Sequence, residues 1–116
     1  MNAETWETVV VIGLVVNAVT GLGYRVYRRT KGGPIADVWG QAVLGVLLIA
    51  TAAGIALGAD WLRWVALAYA TVFALLAMPV WVLGVLLPMR PRAIDYSFTV
   101  VYWALLIAIG IAALLV

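Results

Sequence analysis

The chain has 116 residues with no cysteine and no histidine, which excludes disulfides, thiol chemistry, cysteine metal sites, histidine-ligated haem and the usual zinc centres. Hydrophobic residues make up 67% and charged residues 10%, and the mean hydropathy is +1.16, outside the range of a water-soluble domain with a solvated surface. The formal net charge of +2 comes from basic residues that flank apolar runs, not from a basic face, so the expected surroundings are membrane lipids and no nucleic acid.

Four spans are predicted, over residues 8–27, 41–59, 65–87 and 97–116. Each is close to the ~20 residues that cross a ~30 Å hydrocarbon core at ~1.5 Å per residue. They must be helices, because an isolated segment in lipid has to satisfy its backbone groups internally. The fold class is therefore an all-α integral membrane protein, a single bundle of four transmembrane helices with short connections and no internal repeat. The first span follows an acidic start with Glu4 and Glu7, which does not fit the basic n-region of a secretory signal peptide. Within it Gly13, Asn17 and Gly21 recur at every fourth residue, and Asn17 is expected to hydrogen-bond between helices.

Arg25, Arg28, Arg29 and Lys31 come next, then Gly32, Gly33 and Pro34 mark a turn. Asp37 stands near the start of the second span, where a carboxylate complements the helix N-terminus. That span carries Ala50, Gly54 and Gly58, the last two forming a GxxxG. The third span carries Ala66, Ala70 and Ala74, with Pro79 expected to remove a helix hydrogen bond and kink it. Pro88, Pro91 and Arg92 punctuate the last connection, and the fourth span carries Ala104, Ala108 and Ala112. Small residues let backbones approach closely in lipid, so each stripe is read as a contact face. Four such faces exceed what so small a bundle needs internally, which points to neighbours of another chain.

The positive-inside rule sets the orientation. Arg25, Arg28, Arg29, Lys31, Arg90 and Arg92 lie on one side and Arg63 alone on the other, so both termini are expected outside and both basic loops in the cytoplasm of a cell membrane. Trp6, Trp61 and Trp64 then mark the outer interface, and Tyr24, Tyr27, Trp39, Tyr96 and Trp103 the inner one. No ionisable group is read as lying within the membrane, since Asp37, Asp60 and Asp95 all fall near interfaces. There is no nucleophile with a base, no carboxylate pair, no phosphate loop and no cofactor site, so no catalytic activity is expected.

One stretch bears a resemblance to a known family. An Arg-ended span (Arg28 or Arg29), a turn with Gly33 and Pro34, then Asp37 and an apolar helix with a central glycine resembles the F subunit of multisubunit Mrp-type sodium/proton antiporters. That family places an Arg, a short gap, then GPT, two residues and Asp-Arg on a cytoplasmic loop after an N-out first helix. The third span, "VALAYATVFALLAMPVWVLGVLL", is similar to the family's last helix. Ile35 stands where the family has Thr, Val38 where it has Arg, and Pro34 to Asp37 is one residue shorter. The family's second aspartate falls on Val43 or Leu44, and the fourth span has no counterpart in a subunit that usually has three.

The resemblance covers residues 8–87 and implies a small non-catalytic subunit that assembles with larger membrane subunits and supports a cation/proton path. Two other readings stand beside it. One is a standalone four-helix exporter working as a dimer, which has the length and span count but lacks a membrane carboxylate. The other is an assembly factor of a different membrane complex, which the contact faces equally fit.

Topology is directly testable, because the chain has no cysteine of its own. In intact cells, cysteine introduced at Asn2 should react with an impermeant thiol reagent, whereas cysteine at Thr30 or Ala93 should be shielded. Labelling at Thr30 from outside would reverse the orientation.

Overall fold

A computed structural model describes residues 3–33, 35–88 and 92–116. Four helices account for nearly all of them, each long and apolar enough to cross a membrane. They are α1 (Ala3–Thr30), α2 (Ile35–Ala56), α3 (Leu62–Leu86) and α4 (Ala93–Leu115). The 28 residues of α1 correspond to about 42 Å at ~1.5 Å per residue, which matches the long dimension of the 42 × 22 × 20 Å bundle.

The helices overrun the predicted spans toward the basic loops. α1 runs to Thr30 instead of ending at Tyr27, and α2 starts at Ile35 instead of Gln41. Arg28, Arg29 and Asp37, expected in a loop, are therefore helical, while Pro34 lies outside the described residues, as do Arg90 and Pro91. A helix satisfies its own backbone in any solvent, so polar residues do not end it. Arg28 and Arg29 in the last turn of α1 and Asp37 in the first turn of α2 also favour helix ends through the dipole.

What ends α1 and α2 is glycine. Gly32 has φ +91°, the Gly33 N–H bonds to Arg28 O at 2.7 Å and the Gly32 N–H to Arg29 O at 3.2 Å, which is the Schellman pattern. The same pattern closes α2. Gly58 has φ +103°, its N–H reaches Ile55 O at 3.1 Å, and the Ala59 N–H reaches Gly54 O at 2.9 Å. Gly58 is thus a helix stop, and α2 ends at Ala56, short of the predicted Ala59.

α1 packs most extensively on α2 and α4, and α3 packs on α4 and more lightly on α2. Sequence neighbours are therefore neighbours in space, in an up-down-up-down bundle. The light α2–α3 contact falls on Leu62–Val72, and beyond it α3 stands off from α2. In this second part α3 is π-helical over Phe73–Ala77 and Val82–Leu86, on either side of a short α-helical piece, Met78–Trp81, that contains Pro79. Pro79 brings no N–H to the ladder, and the Met78 N–H reaches back five residues to Phe73 O. Pro79, expected to kink the helix, lies between two π-helical segments.

The small-residue stripes fare differently. Asn17, Gly21, Ala66, Ala70, Ala74 and Ala112 are buried, and Gly13 faces Ile109, which a Cβ at Gly13 would approach to 2.7 Å. Ala50, Ala104 and Ala108 are exposed on the outside of the bundle, so they form no internal face. α2 instead buries Gln41, Gly45, Leu48, Ala52 and Ile55, and α4 buries Asp95, Thr99, Tyr102, Leu106, Ile109, Ala112 and Ala113. Both sets alternate steps of three and four, the 3.5-residue rhythm of helices crossing at about +20°.

Gly58→Ala should lower unfolding free energy by about 1–2 kcal/mol, the cost of a Cβ in the left-handed region. Gly40→Ala, mid-helix with open space around its Cβ, should raise it by about 0.5–1 kcal/mol. Thermal unfolding of the purified protein in mild detergent measures both. Equal effects of the two substitutions would remove the helix-stop role of Gly58.

Candidate functional site

The bundle interior is divided along its length. Toward the termini it is packed with Val10, Leu14, Ala18, Leu48, Ile55 and Ile109 and the alanines between them. Toward the basic loops the core is aromatic, built around Tyr24, Trp81, Tyr102, Met78 and Leu106, and the hydrogen-bonding side chains gather there.

Asp95 anchors this half. It is only 7% exposed and occupies the third position of α4, where its Oδ2 accepts the Arg92 N–H at 2.8 Å and caps the helix. Its Oδ1 accepts the Tyr24 hydroxyl at 2.5 Å, tying α4 to α1. One turn on, the Thr99 hydroxyl donates to Asp95 O at 2.8 Å and accepts the Trp81 Nε1–H at 3.2 Å, which brings in α3. Tyr24 also stacks on Phe98, with centroids 3.8 Å apart and 5° between planes, and meets Trp81 edge-on at 5.9 Å.

A second set of polar groups runs toward the middle of the bundle. The Tyr69 hydroxyl donates to Asn17 Oδ1, so in its 3.0 Å contact with Tyr102 it is the Tyr102 hydroxyl that donates. Gln41 approaches Tyr102 without hydrogen-bond geometry, and its Nε2 stays unpartnered, as does Asn17 Nδ2. Gly21 makes room for the Gln41 amide, since a Cβ there would lie 2.5 Å from Nε2.

Where α3 stands off from α2, a cavity of about 70 Å³ opens, bounded by Arg25, Gln41, Tyr102, Trp81, Phe73 and Phe98 among others. The Arg25 guanidinium lies 4.7 Å from the Trp81 ring centroid and that of Arg28 lies 5.0 Å from it, two cations on one aromatic ring. Arg25 also faces Asp37 at 3.6 Å, with the two side chains 23% and 39% exposed. A pair that wet and that long contributes about 0–1 kcal/mol.

The loop residues expected to act together are only partly joined. Asp37 pairs with Arg25, not with Arg28 or Arg29. Arg28 turns to Trp81, and Arg29 donates to Gly33 O at 3.2 Å. Trp39, Trp61, Trp64 and Tyr96 are exposed, whereas Tyr24, expected in the inner belt, is buried. The residues that build the polar half were read as interfacial or passed over: Arg25, Gln41, Tyr69, Trp81, Asp95 and Tyr102. For Asp95 a signal was present, an acid three residues after Arg92 at the start of an apolar run. For Gln41 it was the three-and-four stepping with Gly45, Leu48, Ala52 and Ile55.

No family model, no curated protein and no solved structure matches this chain.

Tyr24→Phe leaves a buried carboxylate oxygen without its donor, and should lower unfolding free energy by about 1.5–3 kcal/mol. Tyr27→Phe, on the same helix but only partly buried, serves as the comparison and should change it by less than about 0.5 kcal/mol. Chemical or thermal unfolding in detergent decides, and equal losses would mean that the Asp95 contact carries no special weight.

Proposed function

We propose that this chain is a small non-catalytic subunit of a multisubunit monovalent cation (sodium)/proton antiporter in the cell membrane. Its basic loops face the cytoplasm, and larger partner subunits carry most of the ion path. The observation that carries this reading is the division of the core. A chain moving ions alone needs polar groups or water through the full membrane thickness, because charge in hydrocarbon is costly. Among the described residues, the hydrogen-bonding side chains of the buried interior reach Asn17 and Tyr69, and aliphatic packing fills the half beyond them, where Arg63 donates to Val116 O at the end of the bundle. Such a bundle supports the mouth of a path without completing one.

The loop supports the same reading. Asp37 is 39% exposed even while it faces Arg25, so its charge is open to a neighbouring subunit as well. A standalone exporter fits less well. It requires a carboxylate free to meet cargo, and both oxygens of Asp95, the buried carboxylate, are held by Tyr24 and Arg92.

Purification from native membranes in mild detergent should bring down larger multi-pass subunits in fixed ratio, and recovery of a self-contained dimer would favour the exporter. In cells lacking the chromosomal copy, Asp37→Asn should reduce cation/proton antiport while leaving the amount of assembled complex unchanged. Asp37 is the third residue of α2, where losing its charge at the helix N-terminus costs about 0.3–1 kcal/mol, and the lost pair contributes at most about 1 kcal/mol. Undiminished antiport at matched complex levels would make Asp37 a helix-end residue only.

A further inference from the structure

On the outside of the bundle the seam between α1 and α4 opens into a groove of about 340 Å³, at the low end of the size of ligand sites. Gly23, Tyr24 and Tyr27 line it from α1, and Ile94, Phe98 and Val101 from α4. Its floor is the Tyr24–Phe98 ring stack, with centroids 3.8 Å apart. Gly23 keeps the space beside that stack open, since a Cβ there would meet nothing within 4 Å. The Tyr24 hydroxyl is turned inward to Asp95, so the floor presents carbon to the groove. Lys31 follows Tyr27 at the next turn of the chain, and its Nζ lies 6.0 Å from the Tyr27 ring centroid. Arg92, at the N-cap of α4, is exposed at the same end.

The chemistry along the groove runs from apolar wall to aromatic ring to positive charge, the order of a phospholipid followed from chain to headgroup. Shape alone selects nothing in a bilayer, because acyl chains solvate any apolar face and no hydrophobic drive favours one occupant over another. The charge does select. Among the described residues, this end carries Arg25, Arg28, Arg29, Lys31 and Arg92 against Asp37 and Asp95. Asp37 faces Arg25 at 3.6 Å, and both Asp95 oxygens are held by Tyr24 and the Arg92 backbone. Arg28 lies over Trp81 and Arg29 donates to Gly33 O, both away from the seam. The Lys31 ammonium meets only the Tyr27 ring among the described residues, a weak contact at an exposed site, and is open to a phosphate at the mouth of the groove.

We propose that this seam binds one anionic phospholipid from the leaflet on the side of the basic loops. An acyl chain lies over Gly23 between Tyr27 and Val101, and the headgroup phosphate meets Lys31, with Arg92 adding charge at the same level. The site goes beyond the antiporter reading, because it needs only the isolated chain and a lipid. Bound there, the lipid fastens the basic ends of α1 and α4, which the Tyr24–Asp95 bond and the Tyr24–Phe98 stack already join from within.

The test uses the purified full chain in mild detergent, titrated with phosphatidylglycerol or with phosphatidylcholine of the same acyl chains. Native mass spectrometry counts bound lipids, and thermal unfolding is followed on the same samples. The expected result is one phosphatidylglycerol bound about tenfold or more tightly than phosphatidylcholine, as two basic residues at the headgroup level require, with a melting temperature that rises as the site fills. Glycerol phosphate, which has the headgroup chemistry without acyl chains, should not compete. Lys31→Gln should lower the preference about fivefold, the weight of one basic residue at an anionic surface, whereas Arg29→Gln should leave it unchanged. Gly23→Leu fills the groove without a clash and should abolish the tight site, while melting without lipid stays equal or rises, since leucine is the better helix former. Equal affinity for the two lipids, competition by glycerol phosphate, or a preference that survives Lys31→Gln or Gly23→Leu would overturn the proposal. A dimer that Gly23→Leu splits into monomers would also overturn it and give the seam to a second copy of the chain.

Discussion

A backbone or side-chain polar group removed from water must find its partner inside the protein, and this molecule is organised by that requirement. It makes the four segments helical. It places a glycine at the end of α1 and of α2, where positive φ at Gly32 and Gly58 lets the final carbonyls be capped by following N–H groups. It also explains Asp95, whose carboxylate would be costly to bury alone and which accepts from the Arg92 backbone and from Tyr24. The groups that escape the requirement are then informative. Asn17 Nδ2, near the middle of the bundle, and Gln41 Nε2, in the half that faces the basic loops, are buried donors without acceptors, each costing about 1–3 kcal/mol.

The number and order of the helices were legible from apolar length alone, because a run of ~20 apolar residues has few other solutions. Their ends were not. Reading polarity as loop assigns Arg28–Gly40 to a connection, yet only the residues between Thr30 and Ile35 separate α1 from α2. Polarity marks where an apolar run stops, whereas glycine at positive φ marks where the helix stops, and these are different boundaries. Gly58 illustrates the confusion, since its spacing from Gly54 imitates a packing motif while its backbone serves as a cap.

The contact faces were legible in part, for a geometric reason. Residues four apart drift by roughly 40° around a 3.6-residue helix, so a stripe of three small residues leaves the interior unless the helix adjusts. In α2 and α4 the interior follows steps of three and four, led by Gln41 and Asp95, and Ala50, Ala104 and Ala108 end up outside. The polar site was hidden by the same choice of residues. Small-residue spacing draws the eye to glycine and alanine, while the groups that give the interior its chemistry include Gln41 and Tyr102 on the alternating steps of α2 and α4.

α3 resolves the drift in the opposite way, and this shapes the site. Its buried residues, Ala66, Ala70, Ala74 and Met78, keep a strict four-residue period that a regular α-helix cannot hold on one face. The π-helical turns at Phe73–Ala77 and Val82–Leu86 wind more residues into each turn, and Trp81 and Leu86 are carried back into the core as a result. A wider turn also takes more room, and Pro79 between the two π segments denies the ladder a donor. α3 accordingly parts from α2 over this stretch, and the gap is where Arg25, Gln41 and Tyr102 meet Trp81 and Phe73. The terminal half, where α3 is regular and alanine-lined, packs tightly and stays apolar. The gap that separates the polar from the aliphatic half of the interior thus lies where a single helix departs from the 3.6-residue period.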